Sequence, residues 1–292
     1  MSDRSAIPAF VNPHAGSAAR AREAIGADER FALHEVEPDA LADAIRAAMD
    51  AGATRILVSG GDGTIATAAS VLAGTKVELA VLPGGTLNHF AGHLEIPTEH
   101  AAALEVAANG MACDVDAAYV NDHLFINTSV VGSYVAFVRL RDRLQRYLGY
   151  WLASLVAALR LFITLPRYRL LLEVDGQVYR YQTPLLFVGV GQRELSDPSL
   201  RTHSGDGEHG LHVVVVRQWR RARVVALGMA AAREGARGVG ELPEVDSFIV
   251  DSCRVDFHRH TAQLGVDGEV TTLRAPLEYR AAPAALKVIV ER

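Results

Sequence analysis

Cysteine is nearly absent from this chain. Only Cys113 and Cys253 occur in 292 residues, with no C-x-x-C pair and no His/Cys ligand spacing. That excludes a disulfide framework and a zinc site, and it suits a reducing compartment. A basic excess is missing too: 29 Lys and Arg stand against 34 Asp and Glu, a formal net charge of −5. A nucleic-acid backbone asks for a basic face, so nucleic acid is not expected as the main partner, although a local basic patch is compatible with this charge. The opening residues, MSDRSAIPAFVNPHAG, contain no apolar signal core, and the cytoplasm is the expected location. No G-x-x-x-x-G-K-[ST] stretch occurs, which excludes a P-loop enzyme. No internal repeat or low-complexity segment breaks the chain.

What is present is apolar and ordered. Half of the residues are hydrophobic and 22% are charged, enough for a substantial core in one large domain or two ordinary ones. The first part alternates strand and helix. Ala9–Val11 reads as a strand, residues 18–25 as a helix, and Phe31–Val36 as a strand. Residues 38–51 read as a helix, with Leu41, Ile45 and Met49 four apart on one face and Gly52 after its end. His100–Asn109 is a further helix. Cys113–Tyr119 and His123–Asn127 read as strands.

The pattern then changes to a long helical segment over Val135–Leu165, with a break expected near Gly149. Leu140, Leu144, Leu148, Trp151, Leu155, Leu159 and Phe162 recur on it at spacings of three and four, and Arg139, Arg143, Arg146 and Arg160 occupy the other side. Residues 148–165 are long enough to raise a membrane span, but Arg160 and the amphipathic phase argue against one. Two readings stay open: a helix packed on a core, and a basic amphipathic helix that also meets an anionic bilayer. After Pro166 the chain is mostly β. Strands are expected over 169–174, 177–181, 185–190, 211–216, 247–257, 262–266, 277–281 and 285–290, with one helix over Val224–Arg237. Asp175-Gly176 is a hairpin signal. Alternation followed by strands predicts an α/β domain over 1–127 and a mostly β domain over 128–282, the first rejoined by 283–292, with a cleft between them.

Residues 55–94 organise the rest. Ile56-Leu57-Val58 feeds Gly60-Gly61-Asp62-Gly63-Thr64, and Leu79–Leu82 feeds Pro83-Gly84-Gly85-Thr86-Leu87-Asn88. Short apolar runs that end in glycine and lead into helical periodicity mark parallel strands, whose carboxyl-end loops form the ligand crevice. Glycine lets backbone N–H groups approach a ligand, and a helix N-terminus behind it adds partial positive charge. Two such corners side by side make a polyphosphate cradle. Asp62 would repel phosphate unless a cation lies between them, so it points to Mg²⁺. Asn12–Ser17 is a third strand–loop–helix corner, read either as the edge of that pocket or as a turn with Ser17 as helix cap. Asp267-Gly268 is by its residues a hairpin turn.

VNPHAG, SGGDGT and LPGGTLNHFAGHLEIP, in that order and spacing, resemble the diacylglycerol kinase catalytic domain family, which includes bacterial soluble lipid kinases and the sphingosine and ceramide kinases. Leu148-Gly149-Tyr150 and Gly265-Val266-Asp267-Gly268-Glu269 extend the resemblance over nearly the whole chain. NAD kinases share a GGDG-type corner, but PGGTLNHFA is unlike theirs. The resemblance implies an NAD kinase/diacylglycerol kinase-like α/β domain with a parallel sheet flanked by helices, holding ATP, and a β-sandwich that binds the acceptor lipid. It implies an ATP- and Mg²⁺-dependent lipid kinase working on a diacylglycerol-like or sphingoid hydroxyl at a peripheral membrane surface. The rival readings are a same-fold kinase with a soluble acceptor and a nucleotide- or lipid-binding protein without turnover.

Residue by residue, Asn12, Gly16, Ser59, Gly60, Gly61, Asp62, Gly63, Thr64, Gly85 and Thr86 match the nucleotide site, with Asn88 supporting its loop. Asp267 and Glu269 match the positions of the general base. The metal residues expected from the family are Asp62, Asp206 and Glu208. The chain departs from the family at Ala66-Thr67, at His34 in place of a threonine, and at His209 in place of an aspartate in the Arg193–Leu211 loop.

Overall fold

The computed structural model describes residues 6–164, 167–191, 210–216 and 245–291. The elements run β1 (Ile7–Val11), α1 (Ala18–Gly26), β2 (Phe31–Glu35), α2 (Leu41–Asp50), β3 (Arg55–Gly60), α3 (Asp62–Leu72), β4 (Glu78–Pro83), α4 (His89–His93), α5 (His100–Asn109), β5 (Met111–Val120) and β6 (His123–Phe125). They continue with β7 (Thr128–Gly132), α6 (Ser133–Thr164), β8 (Tyr168–Val174), β9 (Gln177–Thr183), β10 (Leu185–Val190), β11 (Leu211–Val216), β12 (Val245–Val250), β13 (Ser252–Phe257), β14 (Thr261–Val266), β15 (Glu269–Arg274) and β16 (Leu277–Val290). The helix expected over Val224–Arg237 lies outside the described residues. The chain divides into two compact units. One takes the chain up to Ala117, His123–Asn127 and Ala282 onward; the other takes Ala118–Asp122 and Thr128–Ala281.

The first unit is a parallel sheet in the order β2-β1-β3-β4, continued by the last residues of β16, which pair with β4. Alternation explains how helices cover both its faces. Phe10, Ile56, Val58, Leu79 and Val81 pack with Leu41 and Ile45 of α2 and Ile65, Ala68 and Leu72 of α3. Their neighbours Ala9, Val11, Leu57, Ala80 and Leu82 pack with Ala18, Ala21 and Ile25 of α1 and Ala103, Leu104 and Ala107 of α5. Strands buried on both faces read as continuous apolar runs, as these do. Gly52 closes α2 from the left-handed region, at φ 90°, with its N–H bonded to the Met49 carbonyl.

The second unit contains two antiparallel sheets. One has the order β12-β11-β10-β7-β14-β15; the other joins β9, β8, β13 and the first residues of β16. They meet face to face. Buried Tyr279 and Ser129 share a hydroxyl–hydroxyl bond of 3.0 Å, Tyr181 donates to Asp246 at 2.8 Å, and the Tyr179 and Phe248 rings lie 5.2 Å apart. This is a β-sandwich.

Several element boundaries differ from the sequence expectation. The strand expected over 247–257 is two strands, β12 and β13, in different sheets; the chain changes sheets at exposed Asp251, whose carbonyl accepts from the Ala281 N–H. The strands expected over 277–281 and 285–290 are one. Pro283 lacks an N–H, but Ala284, at φ 50°, gives its own to Asp116 Oδ1 at 2.8 Å, so the strand continues past the interruption. Two strands, β7 and β15, escaped notice because Thr-Ser and Thr-Thr blur their apolar alternation. The long helix is a hairpin of two. Gly149 breaks it at φ 71°, ψ 168°, and Arg139 and Arg143 before the break line one groove with Ala157 and Arg160 after it. No helix among the described residues is long and apolar enough to cross a membrane.

The thiol of buried Cys253 is pushed up to about 12 by burial, and Cys113 is an exposed free cysteine. His212 of β11 is also buried, its ring 2.6 Å from the Ser247 hydroxyl, and burial lowers its pKa below the usual histidine value. Protons therefore bind the unfolded state first, and stability should be full above about pH 6.5 and fall as pH drops through the native value. Denaturant melts should show this slope in the wild type and a flatter one in His212→Gln.

Candidate functional site

Sheet order brings the three glycine corners together, because β1, β3 and β4 are adjacent and parallel and end on the same edge. The Asn12 N–H donates to the Ser59 carbonyl at 3.1 Å, and the Gly84 N–H to the Gly60 carbonyl at 2.9 Å. Asn12 Nδ2 donates to Thr64 Oγ1 at 3.0 Å, which ties the first corner to the start of α3. Within the corner that follows β4, Asn88 holds both ends of Gly85: its Oδ1 accepts from the Gly85 N–H at 2.8 Å and its Nδ2 donates to the Gly85 carbonyl at 3.0 Å. Asn88 adopts the left-handed region to do so, at φ 50°.

The corners touch backbone to backbone. A methyl group on Gly85 would lie 2.6 Å from Gly61 Cα, and one on Gly60 would lie 2.5 Å from the Thr64 side chain. Neither contact is tolerable without movement of the chain. Gly85 thus carries no side chain because the neighbouring loop occupies that space, and Gly60 carries none because Thr64 of its own corner does. Asn12, Gly16, Ser59, Gly61, Asp62, Gly63, Thr64, Thr86 and Asn88 complete the three corners.

This edge has features that favour an anion. Helix α3 starts at Asp62 behind Gly61, which has no side chain to cap it, so the N–H groups of its first turn gain no side-chain acceptor there. The hydroxyls of Ser17 and Ser59 are buried without a hydrogen-bond partner, and buried polar groups are ordinarily satisfied. Ser17 Oγ lies 3.1 Å from the space a Gly84 side chain would fill. Ser17 was open to reading as a helix cap; it holds the cap position, but its side chain makes no cap bond. Ser17 and Gly84 lie in corners expected at the pocket, but neither was matched to a nucleotide-site position. Their part shows only once the strands are side by side.

Asp62 is the one carboxylate on the three corners. Its Oδ1 accepts from the Phe90 N–H at 3.3 Å, which draws α4 onto α3. Among the described residues no three His, Cys, Asp or Glu side chains group as a metal site. Asp206 and Glu208, the other expected metal residues, lie outside the described residues, as does His209. His34 lies on β2, its ring 5.5 Å from that of Phe10.

Asp267 and Glu269 belong to the second unit, at the β14–β15 hairpin. Asp267 takes φ 46° and Gly268 φ 90°, the left-handed pair that a two-residue hairpin asks for. Asp267 is nonetheless buried. Its Oδ1 accepts from the Thr128 N–H at 3.0 Å and its own N–H donates to the Thr128 carbonyl at 2.8 Å. Glu269 is exposed and pairs with Val266 in the ladder.

Comparison with known proteins places this edge in context. The diacylglycerol kinase catalytic domain family matches residues 7–120, which hold all three corners. A Pseudomonas putida protein named "Probable lipid kinase YegS-like" is 32% identical over 248 residues, 82% of this chain and 78% of its own length. One of the same name from Cronobacter sakazakii is 33% identical over 150 residues, so the match spans 49% of each chain. The chain belongs to the diacylglycerol kinase catalytic domain family, a family of lipid kinases. The fold is that of a Bacillus anthracis diacylglycerol kinase structure, at TM-score 0.65 and 20% identity over 98% of this chain and 97% of that one. It is shared more loosely with an Archaeoglobus fulgidus NAD kinase solved with ATP, at TM-score 0.51 and 12% identity over 98% and 93%.

The contact between loops gives a clean test. Gly85→Ala should lower stability by about 1–3 kcal/mol through overpacking and weaken nucleotide binding with it. Gly26→Ala, where nothing lies within 4 Å of the added methyl, should leave both unchanged in thermal melts and nucleotide titrations.

Proposed function

We propose that this protein is an ATP- and Mg²⁺-dependent lipid kinase that phosphorylates one hydroxyl of a diacylglycerol-like or sphingoid lipid, working from the cytoplasm at a membrane surface. The observation that carries the reading is the merging of three glycine corners at one sheet edge, with an uncapped helix start and two unpartnered serine hydroxyls beside it. Such an edge favours a polyphosphate through backbone N–H groups and the helix dipole. In this reading residues 1–127 with 283–292 bind nucleotide and 128–282 bind the acceptor.

The triphosphate lies along Asn12, Gly16 and Ser59–Thr64, and the loop Gly85–Asn88 closes over it. Thr64 and Thr86 donate hydroxyl hydrogen bonds to phosphate oxygens. Asp62 would hold Mg²⁺, which would supply neutralisation of phosphate charge. The acceptor oxygen forms its bond to the γ-phosphorus while the bond from that phosphorus to the β-bridging oxygen breaks. ADP departs, and the acceptor proton passes to a carboxylate of the Asp267–Glu269 hairpin. Asp267 is the better base of the two in preorganisation, since the Thr128 N–H fixes its carboxylate, whereas Glu269 is exposed.

Labelled ATP incubated with a lipid extract should give a labelled phospholipid, and with NAD no product. Label in NAD alone would establish a soluble acceptor. Asp62→Ala should remove Mg²⁺-dependent turnover, by roughly 10²-fold or more; unchanged kinetics would make Asp62 only a link to Phe90. Asp267→Asn, which keeps the Thr128 acceptor atom, should lower kcat by about 10²–10⁴-fold with little change in the KM for ATP. Glu269→Gln should have the smaller effect. A full rate in Asp267→Asn with a null Glu269→Gln would reassign the base.

A further inference from the structure

The second helix of the α6 hairpin turns its apolar side chains outward. Trp151 is 84% exposed and Leu155 64%, and Leu159 and Ile163 are exposed as well. These four recur every fourth residue, so they form one stripe along the helix. Among the described side chains of this helix, Ala153 and Ala157 are the buried ones. Tyr147, also exposed, stands with Trp151 at the tip, on either side of the Gly149 break. An apolar stripe of this length on an outer helix marks a contact surface.

Two adjoining grooves run beside it. One, of about 340 Å³, lies between the two helices of the hairpin and is lined by Arg139, Arg143 and Arg160. The other, of about 650 Å³, lies between the first helix and the ends of β8, β13 and β14, and is lined by Arg139, Arg167, Arg169 and Arg259. Arg139 joins them. Among the described residues no Asp or Glu lines either groove. The arginines of this unit's hairpin and grooves have one acidic partner among the described residues, the Arg141–Asp142 pair, which belongs to neither groove. In a chain of net charge −5, six arginines with no carboxylate partner among the described residues are a local reversal of sign.

Guanidinium forks match phosphate oxygens two at a time. Trp and Tyr beside an apolar stripe are the residues that settle at the headgroup level of a bilayer. A free phosphate or nucleotide accounts for the grooves but leaves the stripe in water. A second copy of this chain accounts for the stripe but sets arginine against arginine. An anionic phospholipid bilayer accounts for both. We propose that the α6 hairpin and the two arginine grooves are the surface by which this protein docks on anionic membrane, with headgroup phosphates in the grooves and Trp151, Leu155, Leu159 and Ile163 against the acyl boundary. This rests on the lipid-kinase reading for its purpose, but the docking itself needs no nucleotide and no turnover.

Flotation of the full chain without ATP tests it, with phosphatidylcholine vesicles and with the same vesicles carrying about one-third phosphatidylglycerol. Wild type should float only with the anionic vesicles. Arg139→Gln/Arg143→Gln/Arg160→Gln should bind about a hundredfold more weakly, near fivefold for each arginine, and Trp151→Ser/Leu155→Ser about tenfold or more. Circular dichroism and thermal midpoints check folding; should the triple variant unfold, the single exposed Arg143→Gln should still show its fivefold loss. Equal binding to both vesicle types overturns the proposal. So does loss in the arginine variant with none in the apolar variant, which would mark a site for a soluble anion. Kinase activity on lipid in neutral detergent micelles separates the two readings. If wild type is inactive there while charge-dependent flotation persists, the functional reading falls and the docking stands. If the arginine variant loses micelle activity as fully as vesicle binding, the arginines serve turnover and the docking falls.

Discussion

Backbone lying directly on backbone is the constraint from which the candidate site follows. Gly85 meets Gly61 at a distance that no side chain on Gly85 would allow, and the Gly84 N–H reaches the Gly60 carbonyl. Those contacts let the ends of β3 and β4 share one surface of N–H groups and set α3 behind it. The conformational freedom of six glycines is costly to freeze. The offset comes from the layers beneath: Ile56, Leu57, Val58, Leu79, Ala80 and Leu82 are almost wholly removed from water. A rigid, doubly covered parallel sheet holds its loops in place, and that rigidity is what preorganises a phosphate site.

The second unit solves a different problem. Its sandwich is closed by tyrosines whose rings fill space and whose hydroxyls find partners, Tyr279 with Ser129 and Tyr181 with Asp246. Full burial raises the Tyr279 pKa and keeps the phenol neutral, a donor rather than a charge. The same unit puts its apolar excess outside, on the α6 hairpin. Burial and exposure of hydrophobic side chains are thus used for opposite ends within a single unit, one for cohesion and one for contact.

Much of this was legible without coordinates, and for identifiable reasons. Apolar runs that end in Gly60 and Gly84 could only be strands entering tight corners, and both are. Asp175-Gly176 and Asp267-Gly268 announced their hairpins, because few residues accept the left-handed region. Leu41 and Ile45 marked the inner face of α2. The failures are equally physical. Nothing local distinguishes one strand of eleven residues from two strands in different sheets, so the break at Asp251 was missed. Pro283 read as an ending, since its lost N–H is visible in sequence and the Asp116 carboxylate that takes up its neighbour's N–H is not. Ser17 looked like a cap because the cap position is set by its own helix, whereas its hydroxyl points toward Gly84, 67 residues further on.

The sequence by itself determined most of the strand and helix segments, the glycine corners, and which family the chain belongs to. These depend on periodicity and on the steric limits of single residues, which travel with the chain. Only the tertiary structure decided which corners are neighbours, which hydroxyls are left unpartnered, that Asp267 is buried against Thr128, and that arginines of the hairpin and the strands beside it line two grooves where no described carboxylate lies. Each of these is a relation between residues far apart in sequence. Such relations are set by sheet order and packing, and no local pattern encodes them.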